Sequence, residues 1–183
     1  MSRRFLAVAI AVIFATAGTT LIAQTPAQAW TQSVWSHTYY STHGGTLYIY
    51  VDGEGHNWGC SAFGLAMDCA DGQNVYASAS FSDNVYPYTY PSQSMVQASV
   101  SFSGQALSVG ALGAYTQPYG TTCVSPTFIS SGSFVSATTN GVVCHTQTVL
   151  SISGMTLSAS GYGQWGGAWY GSSTSVFLDM YPA

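Results

Sequence analysis

The chain has 183 residues, 47% of them hydrophobic and only 4% charged, with 13 Tyr, 8 Phe and 5 Trp. Its two Lys+Arg are Arg3 and Arg4, so nothing downstream can neutralise phosphates, dock on an anionic membrane surface, form a Schiff base or clamp an anion with a guanidinium. Nucleic acid is thereby excluded as an ordinary electrostatic partner, and the wealth of Val and aromatic residues excludes a disordered chain.

Met1, Ser2, Arg3 and Arg4 make a basic start, residues 5–13 are wholly apolar, and Ala27, Gln28 and Ala29 supply small residues at the spacing of a cleavage site. This is the layout of a secretory signal peptide over residues 1–29. The apolar run is too short for the ~20 residues of a spanning helix, so the expectation is a secreted, extracellular chain of residues 30–183 with no membrane insertion after cleavage. That mature chain has no Lys or Arg against six Asp and Glu, a formal charge of −6.

Residues 30–45 open the mature chain with Trp30, Trp35, Tyr39 and Tyr40, followed by His43, Gly44 and Gly45. They read as a first strand tied into a sheet, the alternative being an aromatic arm on a glycine hinge. Residues 47–51 alternate as a core strand, and the glycine-spaced run of Asp52, Gly53, Glu54, Gly55, His56 and Asn57 reads as a polar turn anchored by Cys60. Residues 61–67, between Cys60 and Cys69, are the one place suited to a short helical turn.

Residues 75–82 alternate again, and residues 96–103 repeat that pattern, putting Val96, Ala98, Val100 and Phe102 on one core face. Residues 101–109 are echoed by 151–159, and each copy reads as a strand, a glycine turn and a second strand, hence a hairpin. Pro87 and Pro91 keep the Tyr86, Tyr88 and Tyr90 segment out of any central strand. Asn140 followed by Gly141 carries the strongest hairpin signal in the chain. Residues 161–171 bring Trp165, Trp169 and Tyr170 among glycines, and residues 174–181 close the fold. No stretch sustains helical periodicity. The expected architecture is all-β: a single-domain antiparallel β-sandwich of roughly nine or ten short strands, with a closed β-barrel as the alternative.

The four cysteines Cys60, Cys69, Cys123 and Cys144 all fall in the exported part, and an even count there reads as two disulfides, with the sequence-local pairing of Cys60 with Cys69 and Cys123 with Cys144 favoured. No C-x-x-C pair occurs and only Cys144 beside His145 offers neighbouring ligands, so no metal site is expected from the thiols. Asp68, Asp71 and Asn74 with Gly72, or Asp52, Glu54 and His56 at alternate positions, could hold a structural calcium ion, although neither has the spaced ligands of an EF-hand; otherwise no cofactor is expected.

Paired carboxylates at Asp52 and Glu54 are the minimum for glycoside hydrolysis, with His56 close by, but in a glycine turn they would be solvated and splayed. The serines lack a G-x-S-x-G elbow. The chain therefore reads as non-enzymatic, with a hydrolase at Asp52, Glu54 and His56 a distant third. Soluble sheets protect their edges chiefly with charge, notably Lys, and this chain has none. The leading expectation is an adaptor or structural subunit of an extracellular protein assembly, engaging a protein partner through an unprotected sheet edge or the aromatic segment of Trp30, Trp35, Tyr39 and Tyr40. The alternative is a carbohydrate-binding, lectin-like module that stacks a neutral polysaccharide on Tyr86, Tyr88, Tyr90, Trp165, Trp169 or Tyr170.

Overall fold

A computed structural model describes residues 30–62, 65–83, 90–110, 113–131 and 136–180; the expected signal peptide, and with it Tyr86, Pro87 and Tyr88, lie outside these. The described chain is all-β, nine strands and no helix: β1 (Trp30–Thr42), β2 (Gly45–Ala62), β3 (Leu65–Asp83), β4 (Gln93–Gly110), β5 (Gly113–Val124), β6 (Phe128–Ser131), β7 (Ser136–Thr148), β8 (Ser151–Trp165) and β9 (Ala168–Asp179). They form two antiparallel sheets, β1-β2-β3-β7 and β5-β4-β8-β9, with β6 also on β4. The sheets face each other without closing into a barrel, as a sandwich should.

The strands are longer than the sequence suggests, because several runs that read as turns are continuous strand. The first strand is real: Trp30–Thr42 pairs with β2 residue for residue, from Trp30 opposite Asn57 to Thr42 opposite Gly45, so residues 30–42 form no free arm. His43 (φ 49°) and Gly44 (φ 80°) make the two-residue connection, both left-handed as a hairpin that matches strand twist requires. Gly166 (φ 57°) and Gly167 (φ 85°) do the same between β8 and β9.

Four expectations are corrected. The span of residues 61–67 holds no helical turn in its described part; β2 runs to Ala62 and β3 starts at Leu65, with Ala62 opposite Leu65. The echoed segments are not hairpins but two neighbouring strands, β4 and β8, whose matching motifs pair with each other, Ser103 opposite Gly154 and Ser101 opposite Thr156. Asn140 and Gly141 lie inside β7, where Val142 pairs with Val75 and Thr139 with Ala77. One extra residue on β7 is thus absorbed as a bulge, a use of Asn and Gly as local as a turn. Finally, Asp52 to Asn57 is not a turn but the middle of β2.

The last correction has a packing cause. Every second residue of β2 points at the other sheet: Leu47, Ile49 and Val51 are fully buried, and Gly53 and Gly55 continue that face. A Cβ on Gly53 would meet Leu157 Cδ1 and Val75 Cγ2 at 3.0 Å, one on Gly55 would meet Leu178 Cδ2 at 2.6 Å and Met155 Cε at 2.7 Å, and one on Gly72 of β3 would meet Val100 Cγ1 at 2.8 Å. These glycines receive large side chains from the opposite sheet. The core they complete joins Leu47, Ile49, Val51, Val75 and Ala77 to Val96, Ala98, Val100, Phe102, Met155 and Leu157, with the predicted set of Val96, Ala98, Val100 and Phe102 facing inward.

Polar ties bind the rims. The Ile152 N–H donates to Asp68 Oδ2 at 2.7 Å, Asn57 Nδ2 donates to the Met180 carbonyl at 3.1 Å, the Thr148 hydroxyl donates to the Gln105 carbonyl at 2.8 Å, and the Ser36 and Thr174 hydroxyls meet at 2.7 Å. Both expected disulfides form. Cys60 and Cys69 join neighbouring strands β2 and β3 at Cα–Cα 5.9 Å, whereas Cys123 and Cys144 join β5 to β7, and so one sheet to the other, at Cα–Cα 5.7 Å. Two such bonds suggest an oxidising, extracellular-type environment.

Replacing both Cys123 and Cys144 by Ala should lower stability by about 3 kcal/mol, the scale for closing a loop of this size, read as a shift in the urea midpoint against the oxidised parent. Gly161 faces Ala79 Cβ and Ile49 Cγ1, each 2.8 Å from where its own Cβ would lie. Neither neighbour is a flexible side-chain end, so Gly161→Ala should cost about 1–3 kcal/mol by overpacking, measurable in the same titration.

Candidate functional site on the outer face of the first sheet

Because strand side chains alternate between faces, burying Leu47, Ile49, Val51, Gly53 and Gly55 turns Tyr48, Tyr50, Asp52, Glu54 and His56 outward along one line. The register sets Tyr39 opposite Tyr48, His37 opposite Tyr50 and Trp35 opposite Asp52 on β1, and Tyr76 opposite Asp52 on β3. The outcome is a ladder of rings across three strands. Trp35 lies 5.5 Å from His37 and 6.4 Å from Tyr50, Tyr39 lies 5.1 Å from Tyr48, and Tyr50 lies 6.2 Å from Tyr76, centroid to centroid. Trp35 is 61% exposed and Tyr39 65%, large for rings that could have been buried.

Beside the rings lies a polar row. His56 Nδ1 is 3.7 Å from Asp71 Oδ1, His145 Nδ1 is 3.4 Å from Asp71 Oδ2, and His56 Nε2 is 3.6 Å from Glu54 Oε2. Gln73 Nε2 donates to Asp71 Oδ2 at 2.7 Å and Asn74 Nδ2 donates to Glu54 Oε2 at 2.8 Å. Asp71 is only 4% exposed although it stands on an outer face, because its neighbours cover it. Asn74 itself sits at φ 53°, in the register shift between Gly72 and Val75. Between ladder and row opens a shallow depression of ≈ 150 Å³ lined by Ser33, Trp35, Tyr50, Asp52, Glu54 and Asn74 among others.

The electrostatics follow from burial without cations. Burial pushes the Asp52 carboxyl above its ordinary range, and the Tyr50 hydroxyl, which donates to it, offsets part of that. Burial, then the nearby Asp52 charge, raises Tyr50 in turn. Asp68 is likewise raised by burial and partly restored by the Ile152 N–H and Asn57.

Of the sequence-predicted partner residues, Trp35 and Tyr39 stand on the ladder. Tyr40 turns inward and packs against the core, and Trp30 is placed by its backbone opposite Asn57. The alternative sugar residues gather elsewhere. Trp165 stacks on His43 at 4.5 Å and meets Phe81 at 5.1 Å and Tyr170 at 6.1 Å, while Tyr90 packs on Phe81 at 6.0 Å. They seal the end of the sandwich where the β1–β2 and β8–β9 connections meet, with Trp169 and Tyr170 partly exposed there.

Asp52, Glu54 and His56 do share a face, against the expectation of a splayed turn. For calcium the sequence grouped Asp68 with Asp71, but Asp68 reaches into the sandwich to Ile152 and Asp71 stands on the outer face. Among the described residues no three His, Cys, Asp or Glu side chains form a group that could hold a metal ion, and no helix is long and apolar enough to cross a membrane. Tyr48, Tyr50 and Tyr76 were missed in the sequence, and His56, Asp71 and His145, each named there, were not seen to stand together. The alternation of residues 46–58 read straight through the glycines finds Tyr48, Tyr50 and His56; Asp71, Tyr76 and His145 join them only through strand pairing. Compared with known protein families, characterised proteins and solved structures, the chain matches none.

Asp52→Asn tests the electrostatics. With its folded pKa above the unfolded value, Asp52 binds its proton more tightly in the native state, so its contribution falls as pH rises through that interval and the penalty is complete above it. The Asn variant should therefore be more stable than the parent at pH 7, and the gap should close near pH 3; urea midpoints at the two pH values decide it.

Proposed function

We propose that this chain is a secreted, non-catalytic adaptor or structural subunit of an extracellular protein assembly, and that it engages its partner by strand addition at the β1 edge. The observation that carries the reading is the edge itself. β1 ends its sheet with 13 residues, pairs with β2 without a register shift, and holds no Lys, Arg, Asp, Glu or Pro. Those are the devices by which natural edges refuse a further strand. The other end of the same sheet, β7, is broken by register shifts; in the second sheet the β5 edge carries Pro118, and the β9 edge, though its register is unbroken, carries Asp179. Export is supported by the basic, apolar and small-residue layout of residues 1–29 and agrees with the two disulfides.

A second reading is favoured by the ring ladder: a neutral polysaccharide stacked on Trp35, Tyr39, Tyr48, Tyr50 and Tyr76. Aromatic faces with few charges around them suit the apolar faces of sugars, and a contiguous exposed patch of this kind marks a binding surface. The two readings separate by position. The ladder runs from β1 across β2 to Tyr76 of β3, whereas strand addition needs only the backbone of β1.

The Thr42 to Gly45 hairpin closes on a hydrogen-bonded pair, so even-numbered residues of β1 bond β2 and odd-numbered ones turn their N–H groups outward. His37→Pro removes one outward N–H and leaves the β2 ladder whole. The native secreted species should have the mass of a complex, by light scattering on culture medium fractions, and His37→Pro should reduce it to a single chain. A parent that already runs as a single chain overturns the adaptor reading. Retention on polysaccharide resin that survives His37→Pro but is lost in Tyr50→Ala with Tyr76→Ala supports the sugar reading in its place.

A further inference from the structure

We infer that the strand added at the β1 edge is β1 of a second copy, running antiparallel about a twofold axis at His37, so that two four-stranded sheets join into one. This rests on the strand-addition reading above and commits it to a partner.

The first support is the sequence of the edge. About His37 the residues of β1 mirror one another in character. Ser36 faces Thr38, Trp35 faces Tyr39, Val34 faces Tyr40 and Ser33 faces Ser41. A twofold interface brings the same patch of each copy together, so residue i meets residue j and j meets i. Here hydroxyl would meet hydroxyl, ring would meet ring and apolar would meet apolar. Centring the axis on Trp35 instead sets Val34 against Ser36, and centring it on Tyr39 sets Thr38 against Tyr40, which loses the match.

The second support is the backbone. Odd-numbered residues carry the outward N–H and C=O groups, and an antiparallel pair centred on a residue matches odd with odd, while the side chains choose His37 over its neighbours, since an axis on Ser36 sets Ser33 against Tyr39 and one on Thr38 sets Ser36 against Tyr40. The outward groups of Ser33, Trp35, His37, Tyr39 and Ser41 would then all be used, about ten hydrogen bonds across the joint. An axis midway between two residues would match odd with even and use none of them.

The third support is the disposition of rings and charge. His37 already lies 5.5 Å from Trp35, 5.3 Å from Tyr39 and 5.6 Å from Tyr48, so the pairing extends the ladder from one copy to the next through Trp35 against Tyr39, the aromatic cross-strand contact that steadies sheets. β1 has no carboxylate of its own. Glu54 stands beside Ser33, and in this register the two copies of Ser33 are eight residues apart along the strands, or ~27 Å. That exceeds the Debye length of about 8 Å at physiological salt, so two strongly acidic chains meet without setting their acids against each other. A parallel pairing would align them.

The test is sedimentation equilibrium on the purified mature chain. The parent should dimerise. His37→Glu puts two carboxylates face to face at the axis and should weaken the dimer by on the order of tenfold. His37→Lys should do the same, and an equal mixture of the His37→Glu and His37→Lys chains should recover the dimer, because opposite charges then meet at the axis. Thr116→Glu, which adds the same charge on the β5 edge, should leave association unchanged.

A parent that stays monomeric when pure, or His37→Glu and His37→Lys chains that fail to complement each other, overturns self-pairing. Strand addition itself survives that result if the complex in culture medium holds a different protein and is lost in His37→Pro. A pure dimer untouched by His37→Pro overturns both.

Discussion

The close approach of the two sheets depends on side chains that are missing. Gly53, Gly55 and Gly72 leave room on the core face of the first sheet, and Leu157, Met155, Leu178 and Val100 fill it from the second. A sandwich interior must be packed to the density of an organic crystal, and at these positions large residues are set against none. The outer face inherits the consequence. Gly53 and Gly55 hold the inward positions, so Asp52, Glu54 and His56 are held outward at strand spacing, in line with Tyr48 and Tyr50.

The second constraint is electrostatic. Past residue 4 no lysine or arginine is available to any carboxylate, and a buried charge without a partner is expensive. The fold answers with neutral donors: a backbone N–H and Asn57 for Asp68, Asn74 for Glu54, Gln73 for Asp71 and a tyrosine hydroxyl for Asp52. For Asp52 and Asp71 the answer is incomplete, one oxygen of each, Oδ1, lacking a hydrogen-bond partner, and burial keeps the Asp52 carboxyl raised. Asp71 between His56 and His145 is the nearest approach to an ion pair, and both contacts exceed hydrogen-bond length. Neutral donors satisfy lone pairs without cancelling charge, so the face remains a weakly acidic, aromatic surface.

What could be read from the sequence follows from which signals are local. Alternation of Val96, Ala98, Val100 and Phe102 fixes a strand and its inner face by period alone, and cysteine count with sequence proximity was enough to pair all four thiols. Glycine misled the reading. Near Gly53 and Gly55 the residue types are those of a turn, and only the side chains of Met155 and Leu157, about a hundred positions away in sequence, explain why a strand continues through them. Asn140 and Gly141 failed for the same reason, since a bulge and a hairpin use the same residues and differ only in whether a third strand, here β3, is alongside. The ring ladder was half legible: Trp35 and Tyr39 stood out by exposure-prone composition, whereas Tyr48, Tyr50 and Tyr76 joined them only through strand pairing.

The ladder and the edge are two results of one arrangement. β1 covers β2 on one side and has no further strand on the other, so its outward rings gain neighbours on one flank alone, and Trp35 and Tyr39 are left more than half exposed while Tyr48 and Tyr50 are not. Without cations, a chain has few ways to make such an edge unattractive to another strand. β7 has register shifts and β5 has proline; β1 has neither, together with an uncharged face and a composition symmetric about His37. A sequence under pressure to stay monomeric would be expected to place at least one of those devices there, and their joint absence on the longest uninterrupted edge of the first sheet is the ground on which the proposed association rests.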